Sequence, residues 1–276
     1  MRIPFTKMHG LGNDFAIIDE REKTYGLTQD TFLLLADRRL GVGCDQILLL
    51  SRSDDKRATA RYRIINADGS EAEQCGNGFR CVVRYLEMQN PLRETVVLEV
   101  AGKFLSGRSL DGGNVRVEMG TPVFEPEEVP YIASSYSDFY KAEISEVSIE
   151  FSAVSIGNPH AVILVDSVSD ALVQQVGSAL QGAGLFPEGV NVGFMEICDT
   201  NHVRLRVFER GVGETPACGT GACAAVAIGR RLGLLSPRVE VSLPGGIVSI
   251  DWSDNPIDSI FMTGPAVRVF DGFIEL

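Results

Sequence analysis

Excess positive charge is missing from this 276-residue chain: 25 lysines and arginines stand against 37 aspartates and glutamates, a formal net charge of −12. That balance excludes a nucleic-acid partner, whose phosphates would demand a basic face, and the acid surplus reads as a solubilising surface. Long hydrophobic runs are also missing. The longest apolar stretches, such as 222–229, fall well short of the ~20 residues of a membrane-spanning helix, so no membrane partner is expected. The N-terminal MRIPFTKMHG enters an alternating pattern at once, with no basic segment leading into a long apolar one. The expected location is a reducing cytoplasm, or an organelle interior if a transit segment has been removed. Six cysteines in so long a chain make no disulfide framework, and the Cys-x2-Cys spacing of a zinc site does not occur. The glycine-rich stretches match neither the P-loop nor the dinucleotide fingerprint, so no metal and no nucleotide cofactor is expected.

What is present begins with composition: 45% hydrophobic and 22% charged residues exclude a disordered chain, and the length suits two domains of ordinary size. A duplication accounts for both. Asn66 to Cys81 reads NADGSEAEQCGNGFRC and Glu209 to Cys223 reads ERGVGETPACGTGAC, with Cys218 following Cys75 by 143 residues. His9-Gly-Leu-Gly-Asn-Asp answers Ser155-Ile-Gly-Asn-Pro-His, so that Asn13 matches Asn158, and Gln46 matches Asn191, both at 145 residues. Random similarity would not keep four correspondences collinear, and the period is far longer than that of a solenoid. Two pseudo-symmetric halves follow, 1–119 plus 264–276 carrying Cys75 and 120–263 carrying Cys218, with a single site expected in the cleft between them.

Period-two alternation predicts strands at 15–18, 61–65, 96–100, 115–119, 203–207, 239–243 and 247–250. Helices are predicted over 27–37, with Thr28 as N-cap, and over 167–180. After each motif cysteine the pattern changes. Phe79, Val82, Val83 and Leu86 take helical spacing, as do Ala222, Ala225, Val226 and Gly229 with smaller side chains. The fold class is therefore α+β, each half a set of mostly antiparallel strands around one buried central helix. The chain ends on predicted strands at 260–262 and 267–270, placed to return to the first half.

A helix beginning at Gly76 or Gly219 points unpaired N–H groups and the positive end of its dipole at the preceding cysteine. The thiol pKa is expected to fall toward the range of a general base, and the glycines let a substrate carboxylate approach the amides. A base on one face of a carbon and an acid on the other is what inversion without a cofactor requires, so the pair suggests a racemase or epimerase. Cys81 and Cys223 are expected to be core packing, Cys44 and Cys198 simply buried, and His160 the histidine at the cleft. A non-enzymatic binding module with structural cysteines is the alternative from another class.

Gly12-Asn13, the NADGS…CGNGxRC segment, Gly157-Asn158-Pro159-His160, Glu209-Arg210-Gly211 and ACGTGA together resemble the diaminopimelate epimerase family over nearly the whole chain. The resemblance implies epimerisation of LL-2,6-diaminopimelate to the meso form, on the route to lysine and peptidoglycan, by a homodimer that uses no pyridoxal phosphate or metal. It implies Cys75 and Cys218 as the acid/base pair and His160 with Glu209 in support. Substrate binding is implied for Asn13, Gln46, Asn66, Gly76, Asn77, Asn158, Asn191, Glu209, Arg210, Gly219 and Thr220. Two departures stand out: Gln74 where the family often has Met or Leu, and Phe270 where it often has a tyrosine used in dimer contacts. Within the superfamily, proline and hydroxyproline racemases are the alternative, since they also pair cysteines, whereas the phenazine-type isomerases lack the pair.

Overall fold

The computed structural model describes residues 1–72, 75–91, 95–144 and 147–275, so that Gln74 lies outside the described residues. The chain divides into two compact units, Met1–Glu118 with Gly264–Leu276, and Met119–Thr263. In the first unit β1 (Arg2–Gly10), β2 (Asn13–Asp19), α1 (Gln29–Ala36), β3 (Gln46–Ser51), β4 (Ala60–Asn66) and β5 (Glu71–Ala72) precede α2 (Gly76–Gln89). Strands β6 (Val96–Val100), β7 (Lys103–Ser109) and β8 (Asn114–Glu118) follow it. The second unit runs β9 (Tyr140–Ile144), β10 (Val147–Ser155), β11 (Pro159–Leu164), α3 (Val173–Gly182), β12 (Asn191–Asp199), β13 (His202–Glu209) and β14 (Gly213–Thr215). After these come α4 (Gly219–Arg231), β15 (Arg238–Leu243), β16 (Gly246–Asp251), β17 (Phe261–Pro265) and finally β18 (Val267–Glu275).

The duplication is written into the strand register. Phe15 faces Gln46 where β2 and β3 run parallel, and His160 faces Asn191 on the parallel pair β11 and β12. Ala60 faces Leu98 across β4 and β6, as Val203 faces Val241 across β13 and β15. Ile64 pairs with Ala72 and Val207 with Thr215 in the short antiparallel returns that lead to each cysteine. Most remaining pairs are antiparallel, which agrees with the α+β reading. The last strand, β18, lies antiparallel on β1 with Ile3 opposite Ile274. In the second unit β9 takes the corresponding place on β10.

Both central helices are buried, for different sequence reasons. In α2, Phe79, Val82, Val83 and Leu86 are almost completely covered, and each such side chain contributes roughly 1.5–3 kcal/mol when fully buried. In α4 every residue from Gly219 to Gly229 is buried, because its side chains are small enough for strands to close around it. Gly229 shows the tolerance: a Cβ there would lie 2.7 Å from Leu235 Cγ. Helix α1 has the predicted cap, with Thr28 Oγ1 accepting from the Thr31 amide at 3.4 Å.

Two expectations need correction. Helix α3 starts at Val173 rather than 167, because the preceding residues form turns fixed to neighbouring strands. The Val168 amide donates to Glu196 Oε2 at 3.0 Å, and Arg206 donates to the Val168 carbonyl at 2.7 Å. Cys198 is exposed rather than buried, since it sits near the end of β12 where the hairpin to β13 enters solvent. Among the described residues no helix is long and apolar enough to cross a membrane.

Candidate active site

In the first unit Asn13, Cys75 and Asn77 meet at the N-terminus of α2, whose first residue is Gly76, while Gln46 and Asn66 pair with each other on β3 and β4. Cys75 is the N-cap, with extended backbone, and its sulfur accepts from the Gly78 amide at 3.3 Å. On its other side the thiol donates to Asn13 Oδ1 at 3.7 Å. The same oxygen accepts from Asn77 Nδ2 at 3.3 Å. Gln46 and Asn66 face each other across β3 and β4, joined by Gln46 Nε2 donating to Asn66 Oδ1 at 2.8 Å. Among the described residues the buried Gln46 Oε1 has no hydrogen-bond partner.

The second unit gathers Asn158, His160, Asn191, Glu209, Arg210, Cys218, Gly219 and Thr220 around the N-terminus of α4. Cys218 is again the N-cap and is almost fully buried. Its sulfur lies 3.6 Å from Thr220 Oγ1, which in turn accepts from Asn158 Nδ2 at 3.5 Å. Asn158 Oδ1 is 3.0 Å from His160 Nε2. Asn191 bridges the strands, donating to the Pro159 carbonyl at 3.2 Å and accepting from the Arg210 amide at 3.0 Å. Arg210 extends along Gly189, where a Cβ would lie 2.7 Å from Arg210 Cδ and the backbone φ is +73°. The positive φ is what favours glycine there.

Electrostatics separate the residues of the second unit. Burial, helped by the nearby Arg210 charge, pushes the His160 imidazole down to about 3. His160 is therefore neutral; its Nε2–H donates to Asn158, and the buried Nδ1 is an acceptor without a partner among the described residues. For Cys218 the expectation of a lowered thiol pKa is overturned. Burial pushes it well above its ordinary value and the Glu209 carboxylate adds to the rise, outweighing Thr220 and the Gly221 amide. Desolvation of a fully enclosed thiolate exceeds what a few helix N–H groups return.

Sequence reasoning missed three polar partners. Thr215 Oγ1 donates to Glu209 Oε1, fixing that carboxylate. Asp45 accepts from Asn13 Nδ2 at 3.0 Å, and the fully buried Arg80 donates to Asn77 Oδ1 at 2.8 Å. Phe270 stands apart from both clusters, half-exposed on β18 beside Val267, Val269 and Phe273 and edge-on to Phe5. Among the described residues no three His, Cys, Asp or Glu side chains are grouped to hold a metal ion.

A family model described as diaminopimelate epimerase matches residues 5–125 and 152–269. The diaminopimelate epimerase of Thioalkalivibrio sulfidiphilus is 48% identical over 278 residues, covering all of both chains. That of Coxiella burnetii strain Dugway 5J108-111 is 46% identical over 273 residues and 99% of both. Among solved structures, a hydroxyproline epimerase from Agrobacterium vitis with bound trans-4-hydroxy-L-proline superposes with a TM-score of 0.69 at 18% identity, over 99% of this chain and 91% of that one. A PhzF-family phenazine biosynthesis protein from Bacillus anthracis gives 0.69 at 17% over the full length of both. At such identities the structural matches establish the shared fold alone. Sequence identity near one half along the entire chain goes further, and the chain belongs to the diaminopimelate epimerase family.

Proposed function

We propose that this protein is a cofactor-independent isomerase that converts LL-2,6-diaminopimelate to meso-diaminopimelate, supplying lysine and peptidoglycan precursors from the cytoplasm. The carrying observation is the repeated placement of a cysteine as N-cap of a buried helix, Cys75 on α2 and Cys218 on α4. Inversion at one carbon needs a base on one face and an acid on the other. In this reading one thiolate takes the α-proton, becoming a thiol, and the other thiol gives its proton to the opposite face, becoming a thiolate. Reversal of the two protonation states serves the reverse reaction. Glu209, held by Thr215, accepts the Cys218 proton when that sulfur must act as base. His160, neutral at physiological pH, orients Asn158.

The charge that develops on the substrate carboxylate must be stabilised away from water. Amides at Gly76-Asn77 and Gly219-Thr220, the first residues of α2 and α4, are donors suited to it. Neutral acceptors and donors from Asn13, Gln46, Asn66, Asn158 and Asn191 suit a substrate with two zwitterionic ends. Arg210 takes the remote carboxylate and Glu209 an ammonium group.

The quaternary reading is a homodimer formed through β18, where Val267, Val269, Phe270 and Phe273 are apolar side chains left in solvent. Phe270→Glu is expected to give a monomer by sedimentation velocity.

The reduced protein, mixed with LL-diaminopimelate, L-proline or trans-4-hydroxy-L-proline in separate D2O reactions without cofactor, tests the substrate. Deuterium entry with meso product from the first alone supports the proposal. Exchange confined to the imino acids would keep the chemistry and overturn the substrate, and no exchange with any of them would favour a binding module.

A further inference from the structure

One line of hydrogen bonds in the first unit begins on a pure donor and ends on a pure acceptor. The Arg80 guanidinium, completely buried, donates to Asn77 Oδ1 at 2.8 Å. Asn77 Nδ2 donates to Asn13 Oδ1 at 3.3 Å, and Asn13 Nδ2 donates to Asp45 Oδ2 at 3.0 Å. Arg38 closes the line, donating to Asp45 Oδ1 and to Asp14 Oδ1, each at 2.7 Å. An arginine cannot accept and an ionised carboxylate cannot donate, so both intervening amides have only one satisfied orientation. Their dipoles align head to tail from the cation to the anion, which strengthens each bond.

The consequence falls on Cys75. Since Asn13 must turn its nitrogen to Asp45, its oxygen must face the thiol, 3.7 Å away. We propose that Arg80 and Asp45 are positioning residues which, through Asn77 and Asn13, hold an amide oxygen against the Cys75 sulfur and so favour its protonated form. This rests on the reading of Cys75 as an acid/base residue. The device belongs to the first half alone: in the repeat, Val190 stands where Asp45 would be, Cys223 where Arg80 would be and Thr220 where Asn77 would be. There the asparagine is turned the other way, Asn158 giving its nitrogen to Thr220 and its oxygen to His160. The duplicated halves thus prepare their two thiols differently.

Asp45→Asn keeps the shape but sets an NH2 against either Arg38 or the Asn13 amide, weakening the line from its acceptor end. Asp45 is 45% exposed, so the exchange spares the core. The rate of iodoacetamide modification of Cys75 at pH 7, followed by peptide mass spectrometry, is the direct readout. D45N is expected to raise it about fivefold, the worth of one net hydrogen bond. In an Asn13→Ala background the same exchange should change it less than about twofold, because the effect passes through Asn13. In turnover of diaminopimelate, kcat should fall more than KM rises. Asp45→Ala gives the same direction and replaces D45N if that variant fails to fold. No acceleration, an equal acceleration with and without Asn13, or a change confined to KM would overturn the assignment. Failure of the unmodified protein to turn over diaminopimelate would sink the substrate reading while leaving the alkylation result meaningful.

Discussion

Gly221→Ala separates the position of the Cys218 sulfur from the stability of the helix that carries it. A Cβ at Gly221 would lie 2.9 Å from Val207 Cγ2, 3.2 Å from Cys218 Sγ and 3.3 Å from Cys218 Cβ. Alanine in a helix gains about 1 kcal/mol over glycine, whereas overpacking a core costs about 1–3 kcal/mol. The net loss is then about 0–2 kcal/mol, a fall in Tm of at most about 8 °C for a unit of this size. Activity should suffer more. The sulfur must yield by several tenths of an ångström, and since a misplacement of about 1 Å costs on the order of 100-fold, kcat is expected to fall about tenfold. Gly229→Ala is the control, because its Cβ meets Leu235 and touches no cysteine; it should lower Tm without lowering kcat per folded molecule. Thermal melts and α-proton exchange by NMR give both quantities. If G221A kept kcat within twofold while losing stability like G229A, the sulfur's exact seat at the head of α4 would not matter, and the reasoning would fail.

Other expectations concern pH and thiol reactivity. His160, held at about 3 in the fold against an ordinary 6.5, takes up a proton on unfolding at any pH between the two. Its contribution is therefore complete above about 6.5 and is lost as pH falls toward 3, about 2 kcal/mol by pH 5. Asp14 does not share this window: although burial opposes it, Arg38 and Lys7 hold its carboxyl well below the usual range. Urea midpoints should drop between pH 8 and pH 5, and much less in His160→Gln; equal drops in both would remove His160 as the cause. At pH 8, exposed Cys198 should be alkylated first, without loss of activity. Cys44, Cys81 and Cys218 should all be slow, since burial pushes the first two thiols up to about 11 and about 12 and the third well above its ordinary value; rapid modification of any of them would contradict that burial.

Much of this architecture was legible because it is repetitive. Two copies of a strand, a short return and a Cys-Gly-x-Gly helix start share one spacing, and the register of β4 with β5 and of β13 with β14 reproduces it. The two buried helices were legible from their apolar spacing and from the small residues of α4. Continuously apolar strands such as β3, whose Ile47 to Leu50 are all buried, carry no alternation to reveal them. The late start of α3 depended on Glu196 and Arg206, residues of β12 and β13 that capture the turn before it. Inside the site, residue identities were readable from the repeat but partnerships were not. Asp45 reaches Asn13 and Thr215 reaches Glu209 only after strands have paired. The direction of the Cys218 shift was misjudged for the same reason, since enclosure and a neighbouring carboxylate, both of which raise the thiol, are tertiary facts.

The most direct test of the central claim is proton NMR of LL-diaminopimelate in D2O with the reduced protein, with Cys75→Ala and with Cys218→Ala, each shown to be folded. If the two thiols serve opposite faces of one carbon, the unmodified protein forms deuterated meso product and neither variant forms any. Meso product from either folded variant at a rate near that of the unmodified protein would show that one thiol suffices, and the two-thiol account would be wrong.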